Sequence, residues 1–286
     1  AFVKIQDGCE NFCSYCIIPY VRGQCVSKES DLIISEITNL VRFHKEIVLT
    51  GIHIGNYGID IGTNFAKLLN KIVQIPNINL IRISSIEVTE INNEMLEILA
   101  KHKNIANHLH IPIQSGCNKI LKLMKRKYDL KTYCKTIKEI RKKRKDIAVT
   151  TDIIVGFPGE TKKDFQKTLR TCRKLRFTKI HVFPYSKRNN TAAFDMPNHV
   201  SDIIKKKRSR TLIKLSKKLE LKYMHKHVNK KVIVLTENYK EGYTYGHTSN
   251  YLFVKIKEKL EHNELIEIII ESIDYPYVIG KTIKKY

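Results

Sequence analysis

The first two-thirds of the chain alternates short apolar runs with longer amphipathic stretches. The amphipathic stretches place apolar residues every three or four positions, as a helix does, and cover residues 31–45, 64–73, 92–101, 118–127, 129–143 and 161–175. The short runs have the length of strands and cover residues 2–6, 47–50, 80–84, 108–112, 147–155 and 179–184. Regular alternation of this kind predicts a parallel sheet covered by helices. Six units predict an α/β fold with a partial (βα)6 barrel, because a closed TIM-like barrel needs eight.

The pattern changes near residue 200. One long basic helix is predicted over residues 200–226, where Leu212, Leu215 and Leu219 keep helical spacing. The remaining sequence holds five short strand candidates separated by turns, at residues 232–235, 243–247, 252–256, 265–270 and 278–280. Short strands at this density predict a small all-β barrel. We therefore predict two domains, which cover residues 1–224 and 225–286.

The chain is strongly basic. Fifty-two Lys and Arg against 28 Asp and Glu give its 286 residues a formal net charge of +24. Such an excess favours polyanionic partners, nucleic acid above all, although a chain rich in Lys, Ile and Asn can also reflect genome composition. No run of about 18 apolar residues indicates a membrane span, and the first residues lack the apolar centre of a signal peptide. We therefore expect a cytoplasmic monomer without a membrane partner.

Three of the seven cysteines, Cys9, Cys13 and Cys16, lie close together after the first predicted strand. Their C-x3-C-x2-C spacing suits three irons of a 4Fe-4S cluster and leaves the fourth iron open to an outside ligand. A zinc site is the alternative, but zinc usually takes four ligands in two pairs, and no second pair follows. The other cysteines are scattered, and we expect them to be small buried apolar residues: Cys25, Cys117, Cys134 and Cys172.

The extended cysteine motif resembles a known family. Residues 6–23, QDGCENFCSYCIIPYVRG, are similar to the methylthiotransferases of the radical S-adenosylmethionine (SAM) superfamily. Later segments resemble the same family in the same order, at residues 48–58, 112–116 and 152–161. Residues 181–186, HVFPYS, are similar to the branch that acts on threonylcarbamoyladenosine in tRNA. The resemblance continues to the end of the chain, where the predicted barrel is similar to the TRAM RNA-binding module.

The resemblance implies a reaction and its cofactors. With an electron from a donor such as flavodoxin or ferredoxin, the 4Fe-4S cluster cleaves SAM to methionine and a 5′-deoxyadenosyl radical. The radical takes the hydrogen from C2 of a modified adenosine at position 37 in the tRNA anticodon loop, and a methylthio group replaces it. The family also carries an N-terminal domain with three cysteines for a second, auxiliary 4Fe-4S cluster. We expect that domain and those ligands to be absent here.

Other functions stay open beside this one. The tRNA target is either threonylcarbamoyladenosine or isopentenyladenosine. A methylthiotransferase for a ribosomal protein side chain is disfavoured by the positive charge and by the HVFPYS segment. A non-catalytic RNA-binding relative is disfavoured because all three motif cysteines are intact.

The resemblance and the ends of the predicted strands together nominate the site residues. The cluster ligands are Cys9, Cys13 and Cys16. The candidates for binding SAM are Tyr15, Gly51, Ser85, Glu87, Gln114, Asp152 and Gly156. The candidates for binding tRNA are Arg22, Tyr185, Arg188, Lys206, Arg208, Tyr245, Asn250 and Tyr251. Ordinary structural roles are the alternative throughout: tight turns for the glycines, a surface ion pair for Glu87, a solvated helix face for the basic residues and core packing for the tyrosines.

Overall fold

The computed structural model describes residues 1–283. Within these residues the larger part is built on six parallel strands, and a short strand pairs antiparallel with the first of them. The strands are β1 (Phe2–Asp7), β2 (Val26–Ser27), β3 (Glu46–Gly51), β4 (Leu80–Ile83), β5 (His108–His110), β6 (Ala148–Val155) and β7 (Lys179–Pro184). Isolated bridges join β4 to β5, so the parallel order is β1-β3-β4-β5-β6-β7. The predicted partial (βα)6 barrel is confirmed.

Helices connect the parallel strands and cover one side of the sheet. They are α1 (Ile18–Arg22), α2 (Ser30–Leu40), α3 (Phe65–Ile72), α4 (Asn93–Lys101), α5 (Asn118–Leu123), α6 (Leu130–Lys143), α7 (Lys162–Leu175) and α8 (Asp202–His225). Helices α3, α4, α6 and α7 begin after Asn64, Asn92, Asp129 and Thr161, whose side chains accept a hydrogen bond from the third helical residue. Each such cap satisfies a backbone N–H that has no partner inside the helix. No helix among the described residues is long and apolar enough to cross a membrane.

The strands have two faces of opposite character, because successive side chains point to opposite sides. We call the side that packs against the helices the outer face. It is apolar and fully buried, for example at Ile5, Leu49 and Ile153, and it forms one core with the helices. The inner face lines the concave side of the sheet. Its residues include Gln6, Val48, Thr50, Arg82, Ser84, His108, His110, Thr150, Asp152, Ile154, His181 and Phe183.

The C-terminal strands form a closed five-stranded barrel in the order β10-β12-β11-β8-β9. The strands are β8 (Lys231–Lys240), β9 (Tyr243–Thr248), β10 (Phe253–Ile256), β11 (Leu265–Asp274) and β12 (Tyr277–Thr282). The sequence predicts all five, but it ends β8 and β11 too early. Register shifts between Thr236 and Asn238 and between Ile270 and Ser272 explain the difference, because a bulge interrupts the two-residue alternation.

The C-terminal barrel packs against the amino-terminal ends of the parallel strands. Arg82 forms an ion pair with Glu46 and also donates hydrogen bonds to the carbonyls of Thr248 and Ser249. The ring of Tyr251 stacks on His108 with 4.8 Å between ring centroids. The barrel therefore covers the floor of the partial barrel, and the carboxyl ends of the strands lie at the opposite, open side.

Candidate functional site

The three motif cysteines lie on residues 8–17, which we call the cysteine loop, directly after β1. Cys13 is buried, and Cys9 and Cys16 are half-buried. Hydrogen bonds hold the loop in place at Ser14, whose N–H and hydroxyl donate to the carbonyls of Met124 and Leu123 at 3.2 and 2.7 Å. The Ser14 carbonyl accepts from the N–H of Ala193 at 2.6 Å. The loop is thus fixed from two sides, although its sequence contains no regular element.

A buried arginine contacts the cysteine loop. Arg126 has a side chain only 4% exposed, and it donates to the Cys13 thiol at 3.1 Å. Its other terminal nitrogen forms an ion pair with Glu87, and its Nε has no hydrogen-bond partner within the described part of the chain. Arg126 is not predicted from the sequence, because it lies in the basic run of residues 125–127, which resembles a solvated surface. A buried guanidinium beside a thiol stabilises negative charge there.

A second polar group approaches the loop from the segment that follows β3. The Nδ1 atom of His53 lies 3.7 Å from the Cys9 sulfur, and its Nε2 pairs with Glu90. Burial lowers the pKa of His53, but its hydrogen bonds to Cys9 and Glu90 outweigh burial and raise the pKa to about 10. Gly55 makes room for this pair, because a Cβ there would lie 1.8 Å from Glu90 Oε2. His53 therefore contacts a predicted cluster ligand.

The donor set of the cysteine loop suits a cluster better than a single ion. A zinc ion with bonds of 2.3 Å would hold its sulfurs within about 3.8 Å of one another. Among the described residues, the sulfur atoms of the three cysteines do not all lie within 4.8 Å of one another. One set of other side chains does have its ligand atoms within this distance. Three spread thiols from one loop, with a buried cation beside Cys13, fit a larger anionic cluster.

That other group lies on the inner face. His110, Asp152 and His181 come from the neighbouring strands β5, β6 and β7, and their ligand atoms all lie within 4.8 Å of one another. The Nε2 atom of His110 is 3.2 Å from the Asp152 carboxylate, and its Nδ1 is 2.9 Å from the Thr150 hydroxyl. We call these three residues the His–Asp–His group. Only Asp152 among them was nominated from the sequence.

The predicted SAM-binding residues gather at the carboxyl ends of the strands. Gly51 ends β3, and Ser85 follows β4 and bridges to His110. The backbone of Gln114 hydrogen-bonds with Asp152 and Ile154 of β6. Glu87 caps a short helical turn and pairs with Arg126, so it is not a free surface acid. Tyr15 packs against Phe157 inside the protein. Their contact with SAM stays a prediction.

Gly156 lies beside α8. It follows β6 with a φ of 70°, which favours glycine. A Cβ at this position would lie 2.2 Å from Cγ of Lys205, which belongs to α8. The space beside Gly156 is therefore occupied by a lysine stem in this structure, and a cofactor reaching this backbone requires Lys205 to move.

The predicted RNA contacts divide into exposed and buried residues. Arg22, Arg188 and Lys206 are exposed, Tyr251 is 48% exposed, and Tyr245 is half-buried on the C-terminal barrel. The structure corrects the expectation for three others, which are buried and hydrogen-bonded inside the protein: Tyr185, Arg208 and Asn250.

Each of the three buried residues has an internal partner. The Tyr185 hydroxyl donates to the carbonyl of Ala193 at 2.8 Å. Arg208 forms a buried ion pair with Glu160, and the Asn250 amide donates to the hydroxyl of Tyr223 on α8. The polar groups of Arg208 and Asn250 therefore hold α8 against the rest of the protein, and the Tyr185 hydroxyl holds the segment between β7 and α8.

Comparisons with known proteins agree with this geometry. Residues 3–172 match the radical SAM superfamily. The threonylcarbamoyladenosine tRNA methylthiotransferase of Bacillus subtilis is 40% identical over 99% of this chain and 65% of the relative, and that of Chlamydia pneumoniae is 35% identical over 99% and 68%. A tRNA-2-methylthio-N(6)-dimethylallyladenosine synthase of a Thermoanaerobacter species is 42% identical over 83% of this chain and 51% of the relative. The chain thus spans about half to two-thirds of these relatives.

Solved structures share the fold of the partial barrel. The radical SAM methyltransferase TsrM from Kitasatospora setae has a TM-score of 0.57 at 16% identity and covers 68% of this chain and 38% of its own. Coproporphyrinogen III oxidase from Escherichia coli has a TM-score of 0.54 at 19% identity, with 76% and 52% covered. These similarities concern the fold alone.

Proposed function

The chain belongs to the radical SAM superfamily and, within it, to the tRNA methylthiotransferases, and we propose that it serves the addition of a methylthio group to C2 of N6-threonylcarbamoyladenosine at position 37 of tRNA. The cofactors of this family are a 4Fe-4S cluster and SAM. The observation that supports the proposal most strongly is the cysteine loop at the open end of the partial barrel, with buried Arg126 donating to Cys13.

We assign Cys9, Cys13 and Cys16 as the ligands of the cluster. When bound, the cluster and SAM supply the radical that takes the hydrogen from C2 of the adenosine. The protein holds the cysteine loop in place and places hydrogen-bond donors beside its thiolates. Arg126 donates to Cys13, and His53 contacts Cys9, so each of these thiolates meets a positively charged or hydrogen-bonding group. Hydrogen bonds to cluster sulfurs are one of the ways in which proteins set the reduction potential.

Arg126 and Glu87 also suit the binding of an amino acid. Their ion pair lies beside Cys13, and the Arg126 Nε–H has no hydrogen-bond partner among residues 1–283. A guanidinium can hold a carboxylate, and a carboxylate can accept from an ammonium group. We therefore assign these two side chains to the methionine part of SAM.

The surface around the open end suits an RNA loop. Exposed Phe12 and Tyr20 contact each other edge to face beside the cysteines, with 5.8 Å between centroids, and bases can stack on such rings. A groove of about 690 Å³ lies past β7 and is bordered by Lys187, Lys205 and Lys206. We propose that the anticodon loop enters here, with its phosphates on these lysines.

Dimethylallyladenosine, also called isopentenyladenosine, is the second candidate substrate, because the relative from Thermoanaerobacter is 42% identical over 83% of this chain and that from Bacillus is 40% identical over 99%. The test compares tRNA nucleosides by mass spectrometry in cells with the gene, without it, and with this 286-residue chain restored. Loss of methylthio-threonylcarbamoyladenosine on deletion supports the proposal. Loss of the dimethylallyl product assigns the second substrate, and no change in either nucleoside rejects both.

Expressing this chain in cells that lack the gene also tests where the sulfur comes from. The methylthio group needs a sulfur source, and the four other cysteines do not form a ligand group among the described residues. Burial raises the pKa of Cys172 to about 12, which suits an inert core residue. If this chain alone restores the product, a partner supplies the sulfur. If only a longer chain restores it, the sulfur site lies outside these residues.

A further inference from the structure

The inner face of the sheet is polar where the interior of an ordinary barrel is apolar. Closed TIM barrels fill this space with branched apolar side chains. Here β5 contributes two histidines, β6 contributes Thr150 and Asp152, and β7 contributes His181. His108 and Thr150 are buried, but the side chains of His110 and Asp152 are 18% and 27% exposed, and His181 is exposed. His110, Asp152 and His181 thus border a space that solvent reaches, and we call this row of polar residues on the inner face the polar wall.

The His–Asp–His group is held by a chain of hydrogen bonds along this wall. His108 and His110 both contact the Thr150 hydroxyl at 2.9 Å, and His110 also contacts Asp152. Burial, helped by Arg82, lowers the pKa of His108 to about 3, so that ring is neutral near pH 7. His181 closes the group at its exposed side, with its ring 5.6 Å from that of His110. Fixed donors and acceptors thus face the open space together.

The group lies close to the cysteine loop. Ile154 is two residues beyond Asp152 on the same face of β6, and it packs in one cluster with Tyr15 of the cysteine loop. Two residues of a strand span about 7 Å. A base placed against the cysteine loop would therefore point a side group towards the His–Asp–His group.

The two candidate substrates differ in the chemistry of that side group. A threonylcarbamoyl group carries a hydroxyl and urea N–H donors together with carbonyl and carboxylate acceptors. A dimethylallyl group is a hydrocarbon. Covering the polar wall with a hydrocarbon would remove water from histidine and aspartate without replacing its hydrogen bonds, which is unfavourable. A site built for hydrogen bonding therefore rejects a substrate that cannot form them.

We propose that the His–Asp–His group is the binding site for the N6 substituent and selects a hydrogen-bonding substituent, threonylcarbamoyl, over a hydrocarbon one. This inference rests on the proposed function and adds the residues that choose the substrate. Asp152 accepts from the hydroxyl or urea N–H groups, and His181, which is exposed towards the space, donates to a carbonyl or carboxylate oxygen. His110 lies 3.2 Å from the Asp152 carboxylate and occupies part of it as a hydrogen-bond partner, and it holds that carboxylate in place for the substituent.

A divalent metal is the competing occupant, because two imidazoles and a carboxylate also bind transition metals. The structure favours the substituent. Both nitrogens of His110 already have partners within the wall, and His181 is exposed towards the space. A metal site would need at least one nitrogen of His110 to be free of a hydrogen-bond partner.

The test measures RNA binding and not turnover. Three anticodon stem-loops are compared, with threonylcarbamoyladenosine, dimethylallyladenosine or unmodified adenosine at position 37, against the 286-residue chain loaded with its cluster. We expect the first to bind at least about tenfold more tightly than the other two. His181→Phe and Asp152→Leu should abolish this preference and keep the affinity for the unmodified loop, which also shows that the variants fold. His102→Phe, at the end of α4 away from the wall, is the matched control and should keep the preference.

The other outcomes separate the two proposals. Equal, tight binding of all three loops would overturn this inference and leave the tRNA function standing. No binding to any loop would overturn the proposed function and this inference with it. A Zn²⁺ titration of the cluster-loaded chain covers the competing occupant: one bound ion that is lost in His181→Phe, with no substituent preference, would assign the group to a metal.

Discussion

The two faces of the parallel sheet differ in polarity and in burial. On the outer face Leu49 and Ile153 are fully buried in a continuous core with the helices. One residue away on the same strands, Val48 and Asp152 face a polar space. The comparison teaches that a single strand can carry stability on one side and recognition on the other. Substitutions on neighbouring positions should therefore have unrelated effects.

The largest effect of a substitution is expected in the cysteine loop, at the carboxyl ends of the strands where both faces end. Cys13→Ala removes one of three thiolates and should abolish cluster binding and SAM cleavage entirely. Iron and sulfide content and the methionine released from SAM are the measurements. Cys134→Ala is the matched control, because Cys134 is half-buried on α6 far from the loop in sequence and should leave both values unchanged. A Cys13 variant that retains SAM cleavage would contradict the assignment of the loop.

The two faces can be compared directly on β3. Leu49→Ala should lower the free energy of unfolding by about 2–5 kcal/mol, because it leaves a cavity in the core. Val48→Ala should cost about 1 kcal/mol, because its side chain is only half-buried on the inner face. Urea unfolding followed by circular dichroism measures both. Equal losses of unfolding free energy would show that the inner face is packed like a core, and would contradict the open space on that side of the sheet.

The stability of the fold also contains a pH-dependent contribution from the start of α7. Asp164 accepts from Lys119 at 2.9 Å and from Thr161 at 2.7 Å. Burial raises the pKa of Asp164, but these hydrogen bonds outweigh it and hold the pKa well below its ordinary value of 3.8. A lowered pKa stabilises the fold above the unfolded value and loses that contribution as the pH falls through the folded value.

Asp164→Asn should therefore cost about 1 kcal/mol of unfolding free energy at pH 7. The difference from the original protein should shrink as the pH is lowered below 3.8. Denaturant unfolding at several pH values measures it. Asp202→Asn is a suitable control, because Asp202 is 82% exposed and its variant should change stability little at any pH. A cost that is constant with pH would indicate packing and not charge.

The sequence was informative wherever the signal was local. The strand and helix alternation and the cysteine spacing both lie within short segments, and the structure confirms the fold that they predict. Residues whose partners are distant were misjudged. Arg208 reads as part of a basic surface because its partner Glu160 is 48 residues away. Arg126 was overlooked for the same reason, since its contact with Cys13 spans 113 residues.

The inner face shows the same limit in another form. Asp152 was nominated from the family motif, but the alternation within β6 does not reveal which strands stand beside it. His110 and His181 become its neighbours only through the parallel register of β5, β6 and β7. Seen singly, each histidine looks like an ordinary strand-end residue. The His–Asp–His group therefore arises from the pairing of three strands and not from any one segment of the sequence.

The smallest effect is expected on the exposed surface beyond both faces. Lys206→Gln removes one cation from the groove past β7. Affinity for an anticodon stem-loop should fall a few-fold whatever the base at position 37, and the slope of log affinity against log salt should decrease by about 1. Lys222→Gln is the control, because it lies on the same helix, 16 residues and about 24 Å further along. If Lys206→Gln changed the preference among substituents, recognition would not be confined to the inner face; if both variants lowered affinity equally, RNA would follow the whole of α8.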